Sequence, residues 1–285
     1  EGGAEGGAEG GEDTPVRSTL LGALLCSNAK VLKELDESGR ERWVPSGNSS
    51  EVPLVVAAQK VGIKSADAQQ AFPRLLEVPF SSNRKMMLTV CGASGQRTLG
   101  RGGMALQPGT EVVTCVKGAP NYVIDVCSKW VAADGSVQTY TAAQKSETER
   151  TIDALSSQAL RVLAIAVRPQ AKLPFEVDDE EISVDDKMGT LCQDLTLLGL
   201  VASIDPPRAG VKEAVQAARD GHIKVMMITG DYLKTAAAIA RDIDILQPDE
   251  DDSNAVDCTR LRPTGEYISE AKLDALTANA RVFAR

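Results

Sequence analysis

From Leu195 to Ile204 the chain runs without a charged side chain, and most of its residues are apolar. A strand with one wet face alternates. A near-continuous apolar run belongs to a strand covered on both faces, as in a parallel sheet. The residues after Ile204 read as the rest of such a sheet. Arg208 to Asp220 predicts an amphipathic helix with Val211, Ala214, Val215 and Ala218 on one side and Gly221 at its stop. Lys224 to Thr229 predicts a second apolar strand. Tyr232 to Asp242 predicts a helix with Leu233, Ala236, Ala237 and Ala240 inward, and Arg281 to Ala284 a third strand. Strand, helix, strand, helix, strand is a parallel α/β unit with right-handed crossovers. A sheet this small leaves bare edges, so the sequence predicts that part of this domain lies outside the chain.

The residues before this unit obey another pattern, and a domain boundary is expected near residue 190. Residues 1–13 repeat Gly-Gly-Ala-Glu, hold nothing larger than Ala to bury, and are predicted to be disordered. A helix is predicted from Pro15 to about Ala29, with Leu20, Leu21, Leu24 and Leu25 on one side. Residues 36–50 are polar, with Gly39, Pro45 and Gly47, and read as a loop. Glu51 to Val61 predicts a helix with Pro53 in its first turn. Lys85 to Cys91 and Glu111 to Val116 predict strands around a Gly-rich loop at 92–103. Pro120 to about Trp130 predicts a helix, Ala142 to Ser157 a polar helix, and Arg161 to Val167 a strand. The acids Glu176, Asp178, Asp179, Glu180, Glu181, Asp185 and Asp186 repel one another when packed, so they predict a solvated loop.

Composition excludes several classes. A chain of 285 residues predicts two domains, and 4% aromatic content makes their cores aliphatic. A net charge of −9 argues against a nucleic-acid surface. Six cysteines without a CxxC pair, and one histidine, His222, argue against a metal site and for reduced thiols. No apolar run reaches the ~18–20 residues of a membrane span, and the acidic, Gly-rich start is not a signal peptide.

Ligands of open α/β sheets collect beyond the carboxyl ends of the strands. One such end carries Asp205-Pro206-Pro207-Arg208, where the prolines should fix the turn, start the helix and hold Asp205 and Arg208 in place. Another carries Thr229-Gly230-Asp231 directly before a helix, whose free N–H groups favour an anion. Thr229 offers a hydroxyl to phosphate, Gly230 lets the backbone come close, and Asp231 can order Mg²⁺ or a basic partner. The alternative is a plain turn with Asp231 as N-cap. In the first domain, Lys117-Gly118-Ala119-Pro120 ends a strand and starts a helix, with open space expected beside the lysine. Pro79 to Lys85 sets Phe80 beside basic residues. Phe80 could stack on a purine with Lys85 near its phosphates, or it could be core with the lysines solvated.

These motifs, taken in order, resemble the P-type ATPases, specifically the type II cation pumps. Supporting segments are Leu25-Cys26-Ser27-Asn28, Gly47-Asn48-Ser49-Ser50-Glu51, Pro79-Phe80-Ser81, Ala159-Leu160-Arg161-Val162-Leu163-Ala164 and Val282-Phe283-Ala284-Arg285. The resemblance spans about residues 16 to 285. It implies a mixed α/β and α+β fold: a nucleotide-binding domain at 14–190, with an antiparallel sheet and flanking helices, then part of a haloacid-dehalogenase-like phosphorylation domain at 191–285. It implies that Phe80 stacks on adenine, that Lys85, Lys117 and Gly118 line the nucleotide pocket, and that Glu51 contacts the adenine side. It further implies that Arg161 reaches the phosphates, that Arg285 contacts the ribose, and that Asp205, Arg208, Thr229, Gly230 and Asp231 serve the phosphorylation domain, Thr229 and Gly230 meeting the transferred phosphate.

The implied partners are ATP with Mg²⁺, a transported cation, and the rest of one pump polypeptide in a membrane, this portion being cytoplasmic. The family's Asp-Lys-Thr-Gly-Thr and Gly-Asp-Gly-x-Asn-Asp segments do not occur in the sequence. The chain alone is therefore expected to bind ATP without turnover, with the Mg²⁺ ligands largely outside it. Tyr232, Asn121 and Ser82 depart from calcium-pump usage and leave calcium, sodium and protons open as the ion. A soluble phosphohydrolase with a cap domain, and a non-catalytic scaffold, are the alternative readings.

Overall fold

The computed structural model describes residues 14–247, 250 and 252–284. The disorder expected at 1–13 and the contact expected of Arg285 lie outside the described residues. The chain divides into two units. One holds the residues up to Glu147 together with Leu163–Val201, the other Thr148–Val162 together with Ala202 onward.

The first unit opens with α1 (Thr14–Leu25), whose leucines 20, 21, 24 and 25 are all buried. Residues 36–50, read as a loop, instead turn between β1 (Lys30–Leu35) and β2 (Glu41–Ser46), an antiparallel hairpin. Asp36 closes its turn by accepting from the Ser38 and Arg40 N–H groups, with Gly39 at φ +77°. Nearly every hairpin residue is exposed, so no buried face marks the period in the sequence. Then come α2 (Val52–Lys60), with proline in its first turn as expected, and α3 (Ser65–Ala71).

Next along the chain come β3 (Arg74–Val78), β4 (Met86–Gly92), β5 (Val112–Gly118), α4 (Pro120–Asp125), β6 (Cys127–Val131), β7 (Val137–Thr139), α5 (Ala142–Ser156), β8 (Leu160–Gln170), α6 (Val184–Leu191) and β9 (Leu195–Ile204); their strands build one sheet, while α5 from Thr148 and β8 as far as Val162 count with the second unit. Its order is β3-β4-β5-β8-β9-β6-β7, with β3 to β8 antiparallel and β9 parallel to β6. The helix expected over Pro120–Trp130 stops at Asp125, and Cys127–Val131 extends to join the sheet. β9 overturns an expectation: it does not begin the later parallel sheet but lies between β8 and β6. Its apolar character reports burial, not partners. Leu195 to Leu198 are buried, while Ile204 is exposed. The main core lies where Leu24, Leu54, Val55, Ala58 and Phe72 meet Met87, Cys91, Val113, Cys115, Ile165 and Val167.

The second unit holds α7 (Val211–Asp220), β10 (Met227–Thr229), α8 (Leu233–Asp242), β11 (Ala255–Asp257), α9 (Glu270–Thr277) and β12 (Val282–Ala284). β12 is central, parallel to β10 on one side and to β11 on the other. β11 follows closely on Asp251 and Asp252 in the sequence, so charge alone does not mark it as a strand, yet it pairs with β12. Val215 of α7 and Ala236, Ala237 and Ala240 of α8 share a core with Ala255, Val282 and Ala284. At the end of α7 the left-handed residue is His222 (φ +58°), not Gly221. The Ile223 N–H donates to Ala218 O at 2.8 Å and the His222 N–H to Arg219 O at 2.9 Å.

Gly118 is required by close strand approach. A Cβ there would lie 2.4 Å from Lys85 O and 2.8 Å from Met86 Cα, both backbone atoms. Gly118→Ala is expected to destabilise the unit by roughly 1–3 kcal/mol, read as a lower midpoint in chemical denaturation. An unchanged midpoint would mean that β4 and β5 part freely.

Candidate functional site

The site grows from the end of α1. The last carbonyls of a helix have no partner within it and carry the negative end of its dipole. Here two cations meet them or the turn just beyond. Lys117, at the end of β5, sends its ammonium to Cys26 O, to Glu51 Oε1 at 2.7 Å and to Met87 Sδ at 2.9 Å. Arg74, at the start of β3, donates to Leu25 O at 2.7 Å and Ser27 O at 2.8 Å. Lys117 is only 6% exposed and Glu51 only 8%.

Glu51 stands at the N-cap of α2 but its side chain does not cap that helix. Its Oε2 instead accepts from the backbone N–H groups of Asn28 at 2.7 Å and Ala29 at 2.9 Å. Burial pushes the Glu51 carboxyl up, but the Lys117 ammonium and these two N–H groups outweigh it and hold the carboxyl below its ordinary value. A buried ion pair is favourable only when its remaining hydrogen-bonding capacity is also met. Both partners satisfy that condition here.

The sheet register brings the other first-domain residues to the same end. Val78 pairs with Leu88, Met86 with Gly118 and Met87 with Lys117. Phe80 follows β3, and Lys85 precedes β4. The Lys85 N–H donates to Ser81 O at 2.8 Å, and Lys85 O accepts from the Ala119 N–H at 2.9 Å. That turn puts Lys85 at φ +56°. Arg84 braces it, reaching Pro79 O at 3.0 Å and Asp185 at 2.5 Å. Phe80 is 57% exposed, an unusual place for a phenyl ring. The open space expected beside Lys117 is absent at Gly118, where Lys85 O fills it.

The other candidates belong to the second unit. Arg161 pairs with Asp231 at 2.7 Å. Thr229 Oγ1 accepts from the Asp231 N–H at 3.2 Å and donates to Asp231 Oδ2 at 3.1 Å. Gly230 has open space around it. The N-cap of α8 is Tyr232, not Asp231, and its hydroxyl donates to Asp153 at 3.1 Å. Asp205 and Arg208 are exposed in an irregular segment. The prolines do not start the helix as expected: α7 begins at Val211 after Gly210 at φ +85°. Among the described residues no group of three or more His, Cys, Asp or Glu could hold a metal ion, and no helix is long and apolar enough to cross a membrane.

Residues 15–210 match the family described as the cytoplasmic domain N of P-type ATPases. The chain belongs to the P-type cation ATPases. It is 34% identical over 300 residues to a P-type sodium-transporting ATPase4 of Toxoplasma gondii, covering 95% of this chain and 22% of that protein. It is 36% identical over 222 residues to calcium-transporting ATPase 1 of Lactococcus lactis, covering 78% and 22%. To a calcium-transporting ATPase of Bacillus subtilis it is 31% identical over 275 residues, covering 96% and 27%. The chain thus spans about a quarter or less of the length of these pumps.

Within this P-type ATPase chain, motif reasoning names Glu51 and Lys117 separately and misses that they pair. It also misses the acceptors Cys26 O and Met87 Sδ, and all of Arg74. The only sequence signal for the pairing is the segment Leu25 to Asn28, whose backbone does the work whatever its side chains are.

Glu51→Ala would leave the Lys117 ammonium buried without its carboxylate, and should cost about 3–5 kcal/mol. Because the Glu51 carboxyl is lowered by folding, its contribution is complete above the ordinary glutamate value of about 4.3 and is lost as pH falls through the lowered folded value. The stability gap between wild type and Glu51→Gln, measured by denaturation across pH, should therefore narrow in acid. A gap independent of pH would contradict the ion pair.

Proposed function

We propose that the end of the β3-β4-β5 sheet is an ATP site, with the purine on the ring of Phe80 and the Glu51–Lys117 pair as its floor. The observation that carries this is the pairing of a buried ammonium with a buried carboxylate at the sheet end where an exposed phenyl ring also emerges. The three polar contacts of Lys117 make it a fixed part of the wall, so phosphate contact falls to the half-buried Lys85, with Gly118 keeping the strands close. Membership of the P-type ATPase family supports ATP, with its Mg²⁺, as the ligand.

For the whole pump we propose ATP-driven cation transport through an aspartyl-phosphate, with this chain a cytoplasmic portion comprising a nucleotide-binding domain and part of a haloacid-dehalogenase-like phosphorylation domain; the boundary expected near residue 190 moves past most of β9, to about Val201, because β9 lies in the first unit's sheet. The parallel β10-β12-β11 sheet is consistent with the phosphorylation domain. Thr229, Gly230 and Asp231 would serve the transferred phosphate. Arg161 would have to exchange Asp231 for a phosphate oxygen. Asp205, Arg208 and Arg285 complete the proposed set. The names of the relatives include sodium and calcium, and neither is assigned to this chain.

ATP titrated into the chain by calorimetry should bind saturably. Stacking of a base on an aromatic ring is worth roughly 1–3 kcal/mol, so Phe80→Ala should weaken binding by that amount while its circular-dichroism spectrum stays that of wild type. No saturable binding by the wild type would favour a scaffold instead.

A further inference from the structure

Arg74 belongs to no motif, yet its guanidinium serves four acceptors. Nη2 donates to Leu25 O and Ser27 O. Nη1 donates to the Asn28 side-chain oxygen and to Glu77 Oε2, the latter at 2.9 Å. Glu77 Oε1 in turn accepts from Asn28 Nδ2 at 2.7 Å. Asn28 is therefore held by its amide from one side, while its backbone N–H points to Glu51 on the other. The register of β3 against β4 shifts between Arg74 and Leu76, and a bulge of this kind re-aims a side chain near a site.

The clamped stretch, Leu25 to Asn28, supplies much of what fixes the ion pair. Cys26 O takes the Lys117 ammonium, and the N–H groups of Asn28 and Ala29 take the Glu51 carboxylate. We propose that Arg74 is a positioning residue for the nucleotide site: its fork holds the turn after α1 so that this turn can aim Glu51 and Lys117. The proposal rests on reading that site as one for ATP. Only a planar fork can serve carbonyls on one arm and a carboxylate and amide on the other; a lysine offers a single charged point.

The test compares the full chain with its Arg74→Ala and Arg74→Lys variants. Three quantities are read: ATP affinity by calorimetry, the Glu51 carboxyl titration by carbon NMR, and the denaturation midpoint. Arg74→Ala should weaken ATP binding about tenfold, by analogy with the outer partners of metal-ligating side chains, whose loss costs at least that much in metal affinity. It should also move the Glu51 titration upward, because slack in the turn loosens the two N–H donors. Arg74→Lys should not restore either. A lowered midpoint with both ATP affinity and Glu51 titration unchanged would overturn the proposal, since that is what a merely structural arginine gives. Should Arg74→Ala fail to fold, Glu77→Gln loosens the same fork and should shift both readouts in the same direction by less; no shift there counts equally against it. If wild type binds no ATP, the nucleotide reading fails, while the Glu51 titration still reports whether the clamp acts.

Discussion

An ammonium group cannot be taken out of water alone. The effective cost is several kcal/mol even after relaxation, and it must be met by good geometry on every side. Lys117 meets it with acceptors from three parts of the first unit: the turn after α1, the residue before α2, and β4. The demand then propagates, because Glu51 is buried too and needs donors of its own. It finds them in the backbone of Asn28 and Ala29. One buried charge thus fixes the relation of α1, α2 and the β4-β5 pair more narrowly than apolar packing could, since apolar contacts are non-directional.

The same constraint shapes the rim. With Met87 opposite Lys117, Met86 must face Gly118, and the Lys85 carbonyl is carried against the start of α4. The chain from Phe80 to Lys85 then has to close a single turn, which Arg84 braces. Phe80 is left in solvent at the lip of this turn. Its exposure follows from the polar contacts deeper in the unit and needs no surface rule of its own.

Much of this is legible in the sequence, but unevenly. Helices with an apolar stripe or a proline in the first turn, such as α2 and α8, lie within a residue or two of where periodicity puts them. The exposed β1-β2 hairpin has no buried face and so leaves no period to read. β9 shows the opposite limit. Its apolar run is real, but hydrophobicity is a property of burial and says nothing of which sheet does the burying. At the site, motifs point to Glu51, Phe80, Lys85 and Lys117 as separate residues. The partnership of Glu51 with Lys117 crosses 66 positions, and its other members are mostly backbone groups, which side-chain patterns cannot encode. Arg74 is invisible in part for the same reason: two of its four acceptors are backbone carbonyls, and those two lie 49 and 47 positions away.

On the proposed reading, a dry ion pair beneath a purine does something that a solvated lysine could not. The Lys117 donors are already directed to protein acceptors, so the ammonium is not free to follow the nucleotide phosphates as they leave. What it contributes is a fixed field in a region of low polarisability, where a charge is felt more strongly than in water. Affinity then rests on the ring of Phe80 and on Lys85 at the rim, while the floor keeps its shape between occupied and empty states. A site that binds and releases a nucleotide gains from that division, because the interactions that weaken on release are the exposed ones and the buried pair has nothing to rebuild.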